Sequence, residues 1–181
     1  SESPKPLVIA IDGPSGSGKS TVAKRVAREL GLSYLDTGAM YRAATWWAMH
    51  EGIDLDDADS VLAATQSMPL SIDLDPDNQR FMCADHDITA AIRTSEVAKV
   101  VSKLAVNLGV RAEMVRMQQA IIAEETTASG HSQGRGIVAE GRDITTVVAA
   151  DAPVRVLLTA SEEARLARRC LLYTSPSPRD A

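Results

Sequence analysis

Leu7-Val-Ile-Ala-Ile-Asp-Gly-Pro-Ser-Gly-Ser-Gly-Lys-Ser20 decides how the rest of the chain is read. Its first five residues form an unbroken apolar run, the signature of a strand buried on both faces of a parallel sheet. Its last eight residues, Gly13 to Ser20, match the pattern G-x-x-x-x-G-K-[ST] in full. After them the apolar spacing becomes helical: Val22, Val26, Ala27 and Leu30 are expected on one buried face, and Gly31 ends the helix. A strand, a glycine-rich turn and a helix N-terminus form an anion cradle: backbone N–H groups turn inward and the helix dipole adds positive potential. The pattern therefore points to a nucleoside triphosphate. Gly13, Pro14, Ser15, Gly16, Ser17, Gly18 and Thr21 line or flank the loop, Lys19 reaches the terminal phosphates, and the Ser20 hydroxyl is placed for Mg²⁺.

Outward from the loop, strands and helices alternate. Short strands are predicted at Ser33–Leu35, Ile137–Ala139 and Val154–Leu158, and helices at Ala39–Glu51, across residues 53–68, and from Ser95 to Ala128 with a break near Asn107-Leu-Gly109. This alternation predicts an α/β fold of three layers, α/β/α, with a central parallel sheet. Residues 68–89 differ: Ser71–Asp75 alternates polar and apolar, Pro76-Asp-Asn78 is a turn, Arg80–Cys83 is a second run, and Ala84–Asp87 reads as another turn. That texture predicts a small antiparallel β insert. The core is expected at 7–67 and 90–160. Ser161, followed by Glu162 and Glu163, caps a last helix.

Composition narrows the function. The 181 residues are 45 % hydrophobic and 24 % charged, the balance of a globular domain. A net charge of −5 and 3 % aromatics argue against nucleic acid as a partner. Two cysteines, Cys83 and Cys170, make no disulfide framework, and the first apolar run is too short for a leader or a membrane span; both suit the cytoplasm. Asp73, Asp75 and Asp77 have the spacing of a Ca²⁺ loop, but Asn78 and Ala84 stand where its glycine and glutamate belong. His50, His86 and His131 lack paired ligand spacing, and Trp46 and Trp47 read as core and edge packing.

No N-K-x-D guanine reader is present, and Glu140-Gly-Arg-Asp143 follows the later apolar strand. Arginine beside an acid at that place suggests transfer between two phosphate-bearing molecules, a reaction that needs charge neutralisation and alignment more than acid–base help. At this point the chain resembles the bacterial cytidylate kinases. The resemblance spans most of residues 7–169. It rests on the Ile11–Lys19 loop, Leu35-Asp-Thr-Gly-Ala-Met-Tyr-Arg42, Ile92-Arg-Thr-Ser-Glu-Val97, Val110-Arg111, Glu140-Gly-Arg-Asp143 and Thr146-Val-Val148.

The resemblance implies phosphoryl transfer from ATP, with Mg²⁺, to CMP or dCMP by a monomeric enzyme. It assigns Asp36, Thr37 and Arg42 to the acceptor nucleotide, and Arg42, Arg93 and Arg142 to its phosphate. Ser102, Arg111 and Asp143 are assigned to the cytosine edge; Lys19, Arg142 and Asp143 are the catalytic set. A planar guanidinium fork suits phosphate oxygens. It also assigns residues 1–169 to one nucleoside monophosphate kinase domain, with residues 161–169, including Arg165, Arg168 and Arg169, beginning a lid. Two other readings stand beside it: a P-loop kinase for a different small acceptor, and a nucleotide-binding module without turnover. From Cys170 the chain drops the preceding charge pattern into Ser-Pro-Ser-Pro, which reads as a non-native tail over 170–181. Chains of the family continue further, so this one is expected to bind nucleotide weakly and to turn over slowly or not at all.

Overall fold

The computed structural model describes residues 4–159, so the last predicted helix, the lid start and the tail lie outside the described residues. Among the described residues there are five helices and seven strands: β1 (Leu7–Asp12), α1 (Lys19–Leu30), β2 (Ser33–Asp36), α2 (Thr37–His50), α3 (Ala58–Ser67), β3 (Leu70–Asp73), β4 (Arg80–Cys83), β5 (His86–Asp87), α4 (Ser95–Ala105), α5 (Leu108–Glu125), β6 (Gly136–Gly141) and β7 (Val154–Leu157). A 3₁₀ turn covers Ala91–Arg93 and a π-helical turn covers Ile144–Val148. The chain is α/β, with one parallel and one antiparallel sheet. It divides into two compact units: Thr37–Gln118 forms one, and the residues before and after it form the other.

In the first unit the parallel sheet has the order β2-β6-β1-β7. All its pairs are parallel, and β1 runs alongside β6 from Leu7↔Gly136 to Asp12↔Gly141. β2 and β6 are buried along their whole length, although β2 carries Ser33 and Asp36 and β6 carries Glu140. A layer of Ile9, Ile11, Leu32, Tyr34 and Val138 packs against Ala23 and Ala27 of α1.

The buried face of α1 matches the expected one only in part: Ala27 is buried and Val26 packs against the core, but Val22 is 40 % and Leu30 is 51 % exposed. Ala23 joins Ala27 against the sheet, because only small side chains let the helix backbone lie close to a surface already filled by Ile and Tyr. After α5, buried Glu125 ties down the return to β6. It accepts from the Ser33 hydroxyl, from the His131 amide at 2.7 Å and from the Ser132 amide at 2.8 Å.

The second unit holds the antiparallel sheet β3-β4-β5. Its registers are Leu70↔Cys83 to Asp73↔Arg80 and Met82↔Asp87 to Cys83↔His86. Residues 86–87 thus pair as a short strand where a turn was expected, since the Ala84 backbone (φ 51) reverses the chain early enough to leave two residues for pairing. The Asp73–Asn78 segment makes the β3–β4 turn: Asp73 accepts from the Asp75 amide and Asp75 from the Asp77 amide. The long helical stretch breaks at Val106-Asn107, where the Asn107 side chain accepts from the amides of Gly109 and Val110 and starts α5. Trp46 and Trp47 of α2 are half-buried, and Trp46 stacks on His50 at 4.7 Å and approaches His86 at 5.6 Å.

Candidate active site

The phosphate-binding loop follows β1 and opens α1. Gly16 (φ 80) and Gly18 (φ 85) adopt backbone angles that side-chain-bearing residues rarely hold, which turns the loop's N–H groups inward. The Ser17 amide donates to the Pro14 carbonyl at 3.1 Å and tightens the turn. Gly13 has no room for a side chain: a Cβ there would sit 2.7 Å from the Ser17 hydroxyl and 3.0 Å from the Leu158 carbonyl. Residues 14–20 are half-buried and Thr21, the next residue, is exposed.

Under the loop sits a group of polar side chains that sequence reasoning singled out only in part. β2 and β6 are in register at Asp36↔Glu140, so two acids stand side by side. The Glu140 carboxylate accepts from the Ser20 hydroxyl at 2.6 Å and from the Tyr34 hydroxyl at 2.6 Å. Burial and the Asp36 charge raise the Glu140 carboxyl to about 7, against the pull of the Ser20 and Tyr34 bonds and the Lys19 charge. Burial, then the same two acids, also push the Tyr34 phenol well above its ordinary range.

A Ser20 hydroxyl bonded to a buried carboxylate is a hard oxygen pair next to a phosphate cradle. That donor set fits Mg²⁺. Glu140 was visible in the sequence as an acid at the end of an apolar strand. Nothing in the spacing pointed to Tyr34.

Beyond β6, Arg142 is exposed and Asp143 half-buried. Asp143 precedes the π-helical turn, and its carbonyl accepts from the amides of Val147 and Val148. Such turns gather at functional sites. The first unit therefore holds the loop, Asp36, Glu140, Arg142 and Asp143. In the second unit, Thr37 and Arg42 lie on the first turns of α2, Arg93 closes the 3₁₀ turn, Ser102 is on α4 and Arg111 on α5. α2 packs against both α4 and the 3₁₀ turn, which gathers the elements carrying Arg42, Arg93 and Ser102. Thr37 is buried and Arg42 half-buried, whereas Arg93, Ser102 and Arg111 are exposed. The Arg111 guanidinium donates to the Ala105 carbonyl at 3.3 Å.

The model of the family described as cytidylate kinase matches residues 9–175. The chain belongs to the cytidylate kinase family. A cytidylate kinase of Streptomyces avermitilis is 44 % identical over 163 residues, covering 90 % of this chain and 67 % of the relative. Those of Mycobacterium avium and Streptomyces coelicolor are 45 % and 46 % identical over the same length. The chain thus spans about two thirds of the length of the cytidylate kinases it matches. A solved structure, TT1252 from Thermus thermophilus, aligns over 98 % of this chain and 77 % of its own with a TM-score of 0.46 and 19 % identity.

Proposed function

We propose that the chain transfers the γ-phosphoryl group of ATP to CMP or dCMP, giving ADP and CDP or dCDP. The observation that carries this reading is the family match over a loop that is set, as the chemistry needs, between a buried parallel strand and a helix N-terminus. The donor's phosphates are cradled by backbone N–H groups of the loop and of the start of α1, with Lys19 neutralising charge at the transferred group. Ser20 and Glu140 would hold Mg²⁺, which supplies charge neutralisation on the phosphate oxygens when bound.

On the acceptor side, Arg42, Arg93 and Arg142 fit a phosphate through their guanidinium forks, and Asp36 and Thr37 fit the sugar-phosphate portion. The cytosine edge exposes an amine and a carbonyl. It therefore needs an acceptor and donors, which Asp143, Arg111 and Ser102 provide. The acceptor phosphate is already ionised, so orientation and charge neutralisation supply the rate. ATP and CMP suit a cytoplasmic enzyme, and the reading takes it as a monomer. Among the described residues no helix is long and apolar enough to cross a membrane.

The test is ADP release by the purified chain with ATP, Mg²⁺ and each nucleoside monophosphate in turn. Turnover selective for CMP and dCMP, relaxed by Asp143→Ala, is the expected result. Equal turnover with every monophosphate, or a selectivity that Asp143→Ala leaves intact, overturns the base-reading assignment. ATP binding with no transfer to any acceptor favours a nucleotide-binding module.

A further inference from the structure

Asp12 stands one residue ahead of the phosphate-binding motif, and the roles assigned above leave it without a task. It is 3 % exposed, and both of its carboxylate oxygens are taken by one short segment far away in sequence. Oδ1 accepts from the Ile144 amide at 2.9 Å. Oδ2 accepts from the Thr145 amide at 2.8 Å and from the Thr145 hydroxyl at 2.6 Å. Ile144 and Thr145 open the π-helical turn, so their amides are donors that the turn cannot satisfy internally. Asp12 caps this turn from a different strand.

The same junction is fixed on its other side. The Gly13 amide donates to the Gly141 carbonyl at 3.2 Å, and the Asp12 carbonyl accepts from the Leu158 amide at 2.8 Å. Arg142 and Asp143 therefore sit on a two-residue span with both ends tied to residues 12 and 13. Asp143 is held outside the helical region (φ −133, ψ 18), while its carbonyl accepts the bonds that close the turn. Three donors converge on two oxygens, which a carboxylate can satisfy. An asparagine has a single acceptor oxygen and would turn an NH₂ group toward a donor. A segment ordered in advance spares an incoming ligand the entropy of ordering it.

We infer that Asp12 is a positioning residue for the acceptor nucleotide: it locks the Arg142–Asp143 segment in its binding conformation and ties that segment to the first residue of the phosphate-binding loop. The inference rests on the acceptor roles proposed for Arg142 and Asp143.

The test compares the chain with Asp12→Asn and with Thr145→Val, which removes one of the three donors. Amide hydrogen exchange at Ile144 and Thr145, CMP affinity and ATP affinity are measured separately. Asp12→Asn is expected to speed exchange of both amides by at least about tenfold and to weaken CMP about tenfold. ATP affinity changes by less than about threefold and discrimination against UMP and AMP declines. Thr145→Val moves the same quantities in the same direction by less, and it carries the test if Asp12→Asn does not fold. Unchanged exchange, unchanged CMP affinity, or equal losses of CMP and ATP affinity overturn the inference. An unsubstituted chain that binds CMP no better than other monophosphates overturns the acceptor reading itself. That failure is read before any substitution is made, so the two are distinguishable.

Discussion

The two sheets solve the problem of polar groups in opposite ways. In the parallel sheet, β2 and β6 are buried throughout, yet they carry Ser33, Tyr34, Asp36 and Glu140. Ser33 is bonded to Glu125, and Tyr34 to Glu140. In the antiparallel sheet, β3 alternates between half-buried and exposed, β5 is exposed, and the charged pair Arg80–Asp87 meets at 3.0 Å in solvent. The contrast teaches where a contact counts: a buried polar group leaves its partner stranded when removed, whereas an exposed one is replaced by water.

The largest effect should come where the parallel sheet has no room. Gly136 begins β6 with φ +124, and a Cβ there would lie 1.8 Å from the Leu7 carbonyl oxygen. Gly136→Ala should cost more than about 4 kcal/mol, or prevent folding, in urea unfolding. A well-folded variant of ordinary stability would show that β1 and β6 are looser than their register implies.

Next comes Glu140, whose burial opposes its charged form. The folded-state carboxyl of Glu140 is raised to about 7 from its ordinary 4.5. Between those values the folded protein holds a proton that the unfolded chain has released. This contribution is therefore full below about 4.5 and is lost as pH rises through about 7, some 3 kcal/mol at most. The stability difference between Glu140→Gln and the parent chain, followed from about pH 4.5 to 8, should shift in favour of the variant as pH rises. A pH-independent difference would place Glu140 in water.

Ser33→Ala removes one donor from Glu125, which burial pushes up but the bonds from Ser33, Ser132 and His131 hold below its ordinary range. The loss should be about 1–3 kcal/mol in the same unfolding experiment. In the other unit, Gly52 has φ +68 but nothing within 4 Å of a Cβ, so Gly52→Ala should cost only about 1 kcal/mol of backbone strain. Arg80→Ala should leave the melting midpoint within about a degree. A large loss from either would erase the contrast between the two regions.

Which parts of this were legible beforehand follows from range. β1 and the phosphate loop were readable because a continuous apolar run and a fixed glycine spacing are local signals. The parallel sheet was readable from the alternation of strands and helices. The buried face of α1 was legible at Val26 and Ala27 but misread at Val22 and Leu30, because pattern reasoning favours large apolar residues. Close packing on the sheet selected Ala23 and Ala27 and left Val22 and Leu30 outside. The π-helical turn had no periodicity to announce it, and residues 86–87 are too short a strand to stand out from a turn.

The sequence by itself determined the phosphate cradle, the order of elements and the family, because each of these is written in neighbouring residues. Only the tertiary structure decided which polar groups meet. It set Asp36 beside Glu140 by strand register and brought the Ser20 and Tyr34 hydroxyls onto one carboxylate. It also closed the bonds from Ile144 and Thr145 onto Asp12 across more than a hundred residues. Such pairings depend on how strands align and where the chain returns. No local pattern of side chains encodes them, and the low-dielectric interior makes them count.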